Sequence, residues 1–168
     1  MTTIFVSGPE SSGKTSLVQR AAAEFGCPYK LEYARHFFDW HPEKLPGSAE
    51  LIRQVYAGQM RIWKNALIEA QKNKAKCLLL DTCPINFYIW HAWYFGETWT
   101  EPLKALQEWP TEVQVWLCKP DLPWVDDGQR RNEKDRHALF EKFKLHWELS
   151  GHSVRLVEGG RLSWPFVG

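Results

Sequence analysis

Cysteine is scarce in this chain and never paired in sequence. Four of the 168 residues are Cys, at 27, 77, 83 and 118, and no two form a C-x-x-C. That spacing argues against a zinc site. With Cys77 and Cys118 in apolar stretches, it favours reduced, packed thiols over disulfides. Long apolar runs are missing, so no membrane span is expected. The chain enters an apolar, β-branched run at Thr3 without a signal-peptide pattern, and a cytoplasmic location is expected. An excess of charge is missing too. Lys and Arg number 21 against 20 Asp and Glu, a net charge of +1. Mixed charge of this kind argues against a nucleic-acid or anionic-membrane partner. A chain of this length has room for one sizeable core, so a single domain over 1–168 is expected. Of the histidines, His36 and His41 flank Asp39 but match no metal-ligand spacing.

What is abundant is tryptophan, with ten residues. Some must fill the core. This many also suggests a pocket that stacks on a flat ligand. The stretch that organises the rest is Gly8-Pro9-Glu10-Ser11-Ser12-Gly13-Lys14-Thr15. Two glycines five apart, then Lys and a hydroxyl residue, fit the P-loop pattern. The context fits as well, with the Thr3–Val6 run before it and a helix-prone segment from Thr15 to Phe25 after it. The glycines let the backbone curl its N–H groups inward onto phosphate oxygens. The positive helix end adds to this. Lys14 supplies a point charge to the β- and γ-phosphates, and the Thr15 hydroxyl can ligate Mg²⁺. Gly8, Glu10, Ser11, Ser12, Gly13, Lys14, Thr15 and Ser16 are the nucleotide-binding candidates.

Further on, residues 29–33 read as a short strand, followed by an aromatic segment. Ser48 can cap a long helix reaching about Lys72. Cys77-Leu78-Leu79-Leu80-Asp81 reads as a buried parallel strand that presents a carboxylate at its C-terminal edge, where phosphates bind. Asp81 is therefore the natural acid for Mg²⁺. A buried helix over 84–96, a short helix over 101–108, a strand over 112–118, a helix over 135–149 and a strand over 153–157 complete the chain. Between 119 and 137 lies a segment rich in Pro, then acidic, then basic, which reads as an ordered lid. Five strands alternating with helices predict a three-layer α/β fold, a parallel sheet with helices on both faces.

The P-loop and Asp81 imply ATP and Mg²⁺ but do not name the acceptor. Arg130, Arg131 and Arg136 could close over the triphosphate and offset transition-state charge. A hydroxyl acceptor would also need a carboxylate, and Glu32, Asp39 and Asp81 all qualify. The flat faces that could stack on a ligand are Tyr33, Trp40, Trp63 and Trp124, with Asp126 near the last.

Gly8–Thr15, Glu32-Tyr33-Ala34-Arg35, Leu80-Asp81-Thr82, Pro123-Trp124-Val125-Asp126-Asp127-Gly128-Gln129-Arg130 and the pair Asp135-Arg136 occur in this order. Together they resemble the ribosylnicotinamide kinase domain of NadR-type proteins, which belong to the P-loop kinases within the AAA-like ATPases. The resemblance covers nearly the whole chain. It implies a nucleoside-kinase-like fold and transfer of the ATP γ-phosphate to the 5′-hydroxyl of nicotinamide riboside. It also implies that Glu32, Tyr33 and Arg35 lie on the nucleoside side, that Trp124, Asp126 and Asp127 line the ribose side or lid, and that Arg130 and Arg136 are lid arginines. The multidomain relatives place an adenylyltransferase domain ahead of the kinase. With the P-loop starting at residue 8, that second activity is not expected. A kinase for another nucleoside, an ATP-binding regulatory module and a polynucleotide kinase remain competing readings, the last weakened by the balanced charge.

Overall fold

In the computed structural model, residues 1–161 are described except 42, 44–46, 127, 129 and 131. Five strands, β1 (Thr2–Ser7), β2 (Tyr29–Lys30), β3 (Cys77–Asp81), β4 (Glu112–Cys118) and β5 (Ser153–Val157), form one sheet. Their order is β2-β3-β1-β4-β5, and every pairing is parallel. Helices α1 (Lys14–Phe25), α2 (Tyr33–Trp40), α3 (Ala49–Lys72), α4 (Pro84–Phe95), α5 (Glu101–Gln107) and α6 (Arg136–Ser150) supply the connections.

The inner strands β1, β3 and β4 are largely apolar and buried because both faces are covered, and alternate residues serve different cores. Ile4, Val6, Leu79, Trp116 and Cys118 pack against α1 through Leu17, Val18, Ala21 and Ala22. Phe5, Leu78, Leu80, Val115 and Leu117 face the larger core built with α3, α4, α5 and α6. Local signals set the helix ends. The Ser48 hydroxyl accepts the Leu51 N–H at 3.2 Å and starts α3. Pro84 opens α4, and Gly96 closes it in the left-handed region at φ 65°.

Three expectations need correction. The second strand stops at Lys30. Residues 31 and 32 turn away from the sheet, and Tyr33 is already helical, with its N–H donating to Gln59 Oε1 on α3 at 2.6 Å. The thiols are not all free either. Cys27 and Cys77 form a disulfide with Cα atoms 5.7 Å apart, whereas Cys83 and Cys118 are buried free thiols. The register explains the pairing. Tyr29 lies opposite Leu79 in a parallel ladder, so the positions two residues earlier on each strand, 27 and 77, also meet. Trp63, finally, is no ligand platform. It is fully buried and packs edge-on against Phe5, Phe87 and Trp109 at centroid separations of 5.6, 6.3 and 6.3 Å.

Truncating so central a side chain costs ~3–5 kcal/mol. Trp63→Ala is therefore expected to lower Tm by at least about 6 °C in a thermal melt followed by circular dichroism. An unchanged Tm would return Trp63 to the ligand contacts.

Candidate functional site

The sheet's C-terminal edge carries a cleft of about 230 Å³. β1 and β3 run side by side with Val6 opposite Asp81, so the loop after β1 and the carboxylate ending β3 emerge level with each other. The loop curls at Gly8 (φ 132°), Ser11 (φ 54°) and Gly13 (φ 80°). Gly8 has no room for a side chain, since a Cβ there would stand 2.6 Å from the Cys118 carbonyl oxygen. A buried polar knot fixes the loop from below. Trp147 Nε1 donates to Ser7 Oγ at 2.9 Å, Ser7 Oγ donates to Asn86 Oδ1 at 2.9 Å, and Asn86 Nδ2 donates to the Gly8 carbonyl at 3.3 Å. Lys14 Nζ folds over the loop onto the Gly8 and Pro9 carbonyls at 3.0 and 2.6 Å. Thr15 Oγ1 donates to Asp81 Oδ2 at 2.6 Å. Asp81 Oδ1 is buried and has no protein partner among the described residues.

Glu32, two residues past β2, reaches the same edge. Burial pushes its carboxyl up to about 7, and the Asp81 charge pushes the same way, against Lys14 and Arg35. Burial also raises Asp81, opposed first by Lys14 and then by the Thr15 hydrogen bond. Two carboxylates and a lysine thus share one buried corner, and the two acids cannot both ionise freely.

Away from that corner the cleft becomes apolar. Phe38 of α2, Ile52 and Val55 of α3, and Phe87, Trp90 and Tyr94 of α4 line it. Trp90 and Tyr94 stack with centroids 5.6 Å apart and planes 16° from parallel. None of these six side chains was singled out in sequence as a ligand contact. Their spacing on α4, positions 87, 90 and 94, follows one helix face that begins just after Thr82 and Asn86. That stripe was a usable signal. Thr82, at φ 70° with its hydroxyl buried and unpartnered among the described residues, and Asn86 also line the cleft.

The lid lies on the P-loop. Ser11 Oγ accepts the Val125 N–H at 3.0 Å and an Arg130 N–H at 3.3 Å. Asn132 donates its backbone and side-chain N–H groups to Glu10 at 3.1 and 3.2 Å. Of the expected residues, Glu10, Ser11, Ser12, Gly13, Lys14, Thr15, Ser16, Glu32, Arg35 and Arg130 line the cleft, with Asp81 at its base against Thr15. Tyr33 does not line it. Its ring lies over Gly58, whose missing side chain makes the space. Asp39 and Trp40 are exposed on α2, and Trp124 and Asp126 lie in the lid outside the cleft wall. Arg136 donates to the Leu122 carbonyl at 2.8 Å and secures the base of the lid rather than entering the cleft. Arg131 and Asp127 fall outside the described residues.

Residues 3–163 match the family model of the AAA domain. The chain belongs to that family. Solved structures agree on the fold. A NadR protein in complex with NR superposes with a TM-score of 0.73 at 24% identity, covering 92% of this chain and 45% of that one. A NadR protein in complex with NAD and AMP-PNP gives 0.63 at 18% identity, covering 96% and 46%. The deoxyadenosine kinase from M. mycoides with bound dATP gives 0.54 at 12% identity, covering 96% and 92%. The chain thus spans about half the length of the NadR chains it matches, and the resemblance read from its motifs is met at the level of fold. This AAA-domain protein is a P-loop α/β protein with a five-stranded parallel sheet, and among its described residues no helix is long and apolar enough to cross a membrane.

The crowded carboxylates give a sign for stability. In the unfolded chain Glu32 ionises near its ordinary value, whereas in the folded protein it holds its proton to about 7. Between those values the native state binds more protons than the unfolded one, so stability falls as pH rises. Glu32→Gln is therefore expected to raise Tm at pH 8, by ~2–4 °C for each kcal/mol of charge burial and repulsion removed, and to leave it nearly unchanged at pH 4. Equal shifts at both pH values would mean that Glu32 does not hold its proton above its ordinary range.

Proposed function

We propose that the protein is an ATP-dependent nucleoside kinase, and that its acceptor is nicotinamide riboside, phosphorylated on the ribose 5′-hydroxyl. One observation carries this reading. A single cleft joins a phosphate-curled loop to an aromatic slot, with a carboxylate of raised pKa at the junction. A nucleoside with its base against Trp90 and Phe87 would direct its ribose toward Glu32 and the loop. The ligands named with the similar structures, NR, NAD with AMP-PNP, and dATP, are of the chemical class this reading requires.

In this reading the loop N–H groups and Lys14 bind the β- and γ-phosphates. Lys14 exchanges its two carbonyl partners for phosphate oxygens. Glu32 accepts the proton of the 5′-hydroxyl as that oxygen bonds to the γ-phosphorus and the bond to the β–γ bridging oxygen breaks, leaving ADP. A pKa near 7 suits a base working at neutral pH. Arg130 on the lid offsets the charge spread over the transferring group. Arg35, on the first turn of α2, balances the acid pair. A magnesium ion fits the corner, because Asp81 Oδ1 is buried without a protein partner among the described residues, beside the Thr15 hydroxyl. Thr15 and Asp81 would hold it, and it would supply positive charge to the β- and γ-oxygens.

The pyridinium ring of nicotinamide riboside is flat and cationic, and over an aromatic face such a cation gains ~0.5–2 kcal/mol. Selectivity over an uncharged base should then come from Trp90. The test compares kcat/KM for nicotinamide riboside, uridine and deoxyadenosine in the wild type and in Trp90→Leu. Nicotinamide riboside is expected to lead in the wild type and to lose about tenfold in the variant. Equal values for all three substrates in the wild type would overturn the choice of acceptor. Loss of ATP-dependent product in Lys14→Ala is the control that the phosphates sit where the loop predicts.

A further inference from the structure

One buried side chain of the lid bonds to two other walls of the cleft and has no part in the chemistry above. Asn132, 5% exposed, sits in the lid just before α6. Its backbone N–H and its Nδ2 both donate to Glu10 Oε2, at 3.1 and 3.2 Å. The same Nδ2 donates to the Tyr94 hydroxyl at 2.6 Å. Glu10 belongs to the phosphate loop, and Tyr94 stacks on Trp90 in the aromatic slot. The Asn132 amide therefore joins the donor loop, the lid and the acceptor wall.

The residue types suit that task. Nδ2 has two hydrogens, one for each partner, and a charge-assisted bond to a carboxylate is the stronger kind. Aspartate would set a second carboxylate against Glu10. Glu10 itself is an awkward residue for a loop that must accept a triphosphate, because its charge repels the ligand. Two N–H donors from the lid fix that carboxylate against Asn132 at the cleft wall and offset its charge.

We propose that Asn132 is a positioning residue that couples the two halves of the cleft. A nucleoside seated against Trp90 and Tyr94 steadies the Tyr94 hydroxyl, which steadies Asn132, which holds the lid on the phosphate loop and offsets the Glu10 charge beside the triphosphate. Acceptor and nucleotide then tighten each other's binding by the same factor, as linkage requires. With the acceptor seated, the closed lid also keeps water from the γ-phosphate, so the acceptor hydroxyl is the nucleophile at hand. This inference rests on reading the cleft as a kinase site.

The experiment measures the Kd of AMP-PNP with and without nicotinamide riboside, together with the ratio of ATP hydrolysed to acceptor phosphorylated. It uses the wild type, Asn132→Asp, Asn132→Asp with Glu10→Gln, and Tyr94→Phe. In the wild type the acceptor is expected to tighten AMP-PNP about fivefold or more. Asn132→Asp abolishes that tightening and raises the hydrolysis ratio about tenfold. Adding Glu10→Gln restores both, because the glutamine amide can donate to the introduced carboxylate while its carbonyl still accepts the lid's backbone N–H. Tyr94→Phe, measured at saturating nicotinamide riboside, loses the acceptor's effect on AMP-PNP affinity. Wild-type coupling in Asn132→Asp, or no restoration in a double variant with a normal Tm, overturns the proposal. Should the wild type phosphorylate no acceptor, the function reading fails separately. The latch is then read from AMP-PNP affinity by itself, which Asn132→Asp must weaken and the double variant must restore.

Discussion

Two parallel strands that end level with each other govern the rest of this molecule. Val6 pairs with Asp81, so the loop leaving β1 and the acid closing β3 reach the same edge. The Thr15–Asp81 hydrogen bond at 2.6 Å then ties the first turn of α1 to the end of β3. A shift of one residue in that register would turn Asp81 to the other face of the sheet and send the hydrophobic alternation into the wrong cores. The same register that buries Phe5, Leu78 and Leu80 therefore also aims the carboxylate. Core packing and site geometry are one constraint here, and the Ser7–Asn86–Trp147 knot beneath the loop extends it to α4 and α6.

That edge is built at a cost to stability. Asp81 and Glu32 are both pushed toward their neutral forms by burial, and Glu32 is pushed further by its neighbour. Lys14 and Arg35 offset part of the strain. Functional sites commonly carry such destabilising arrangements, because activity needs them. The positive charges of the lid lie close by, with Arg130 on Ser11 of the loop. On the proposed reading, an entering phosphate group would meet Lys14 and Arg130 as ready donors.

Much of the fold was legible in the chain. The P-loop spacing, the apolar strands at 77–81 and 112–118, the Ser48 cap and the Gly96 stop are local signals, and local physics decided those elements. What stayed hidden depended on partners distant in sequence. The Cys27–Cys77 pairing follows from the β2–β3 register, which no spacing rule contains. Residues 31–33 have strand-like composition, but the Tyr33 N–H finds Gln59 on α3 and begins a helix instead. Among the aromatics, the sequence pointed to Tyr33, Trp40, Trp63 and Trp124 as the flat faces of a stacking pocket. The slot is made by Phe38, Phe87, Trp90 and Tyr94, because burial against the sheet claims Trp63 and the gap at Gly58 claims Tyr33. Arg136 looked like a second charge for the phosphates, yet it serves the lid's own backbone.

The central claim is that donor and acceptor occupy two ends of one continuous cleft and meet at Glu32. A bisubstrate ligand tests it most directly: adenosine and nicotinamide riboside joined through their 5′-oxygens by a chain of four phosphates. If the cleft is continuous, one molecule fills both ends and gains from its own effective concentration. It should then inhibit competitively against ATP and against the nucleoside, and bind at least about a hundredfold tighter than either. Competition with ATP and none with the nucleoside would contradict the account, since it would place the acceptor somewhere other than the slot formed by Trp90 and Tyr94.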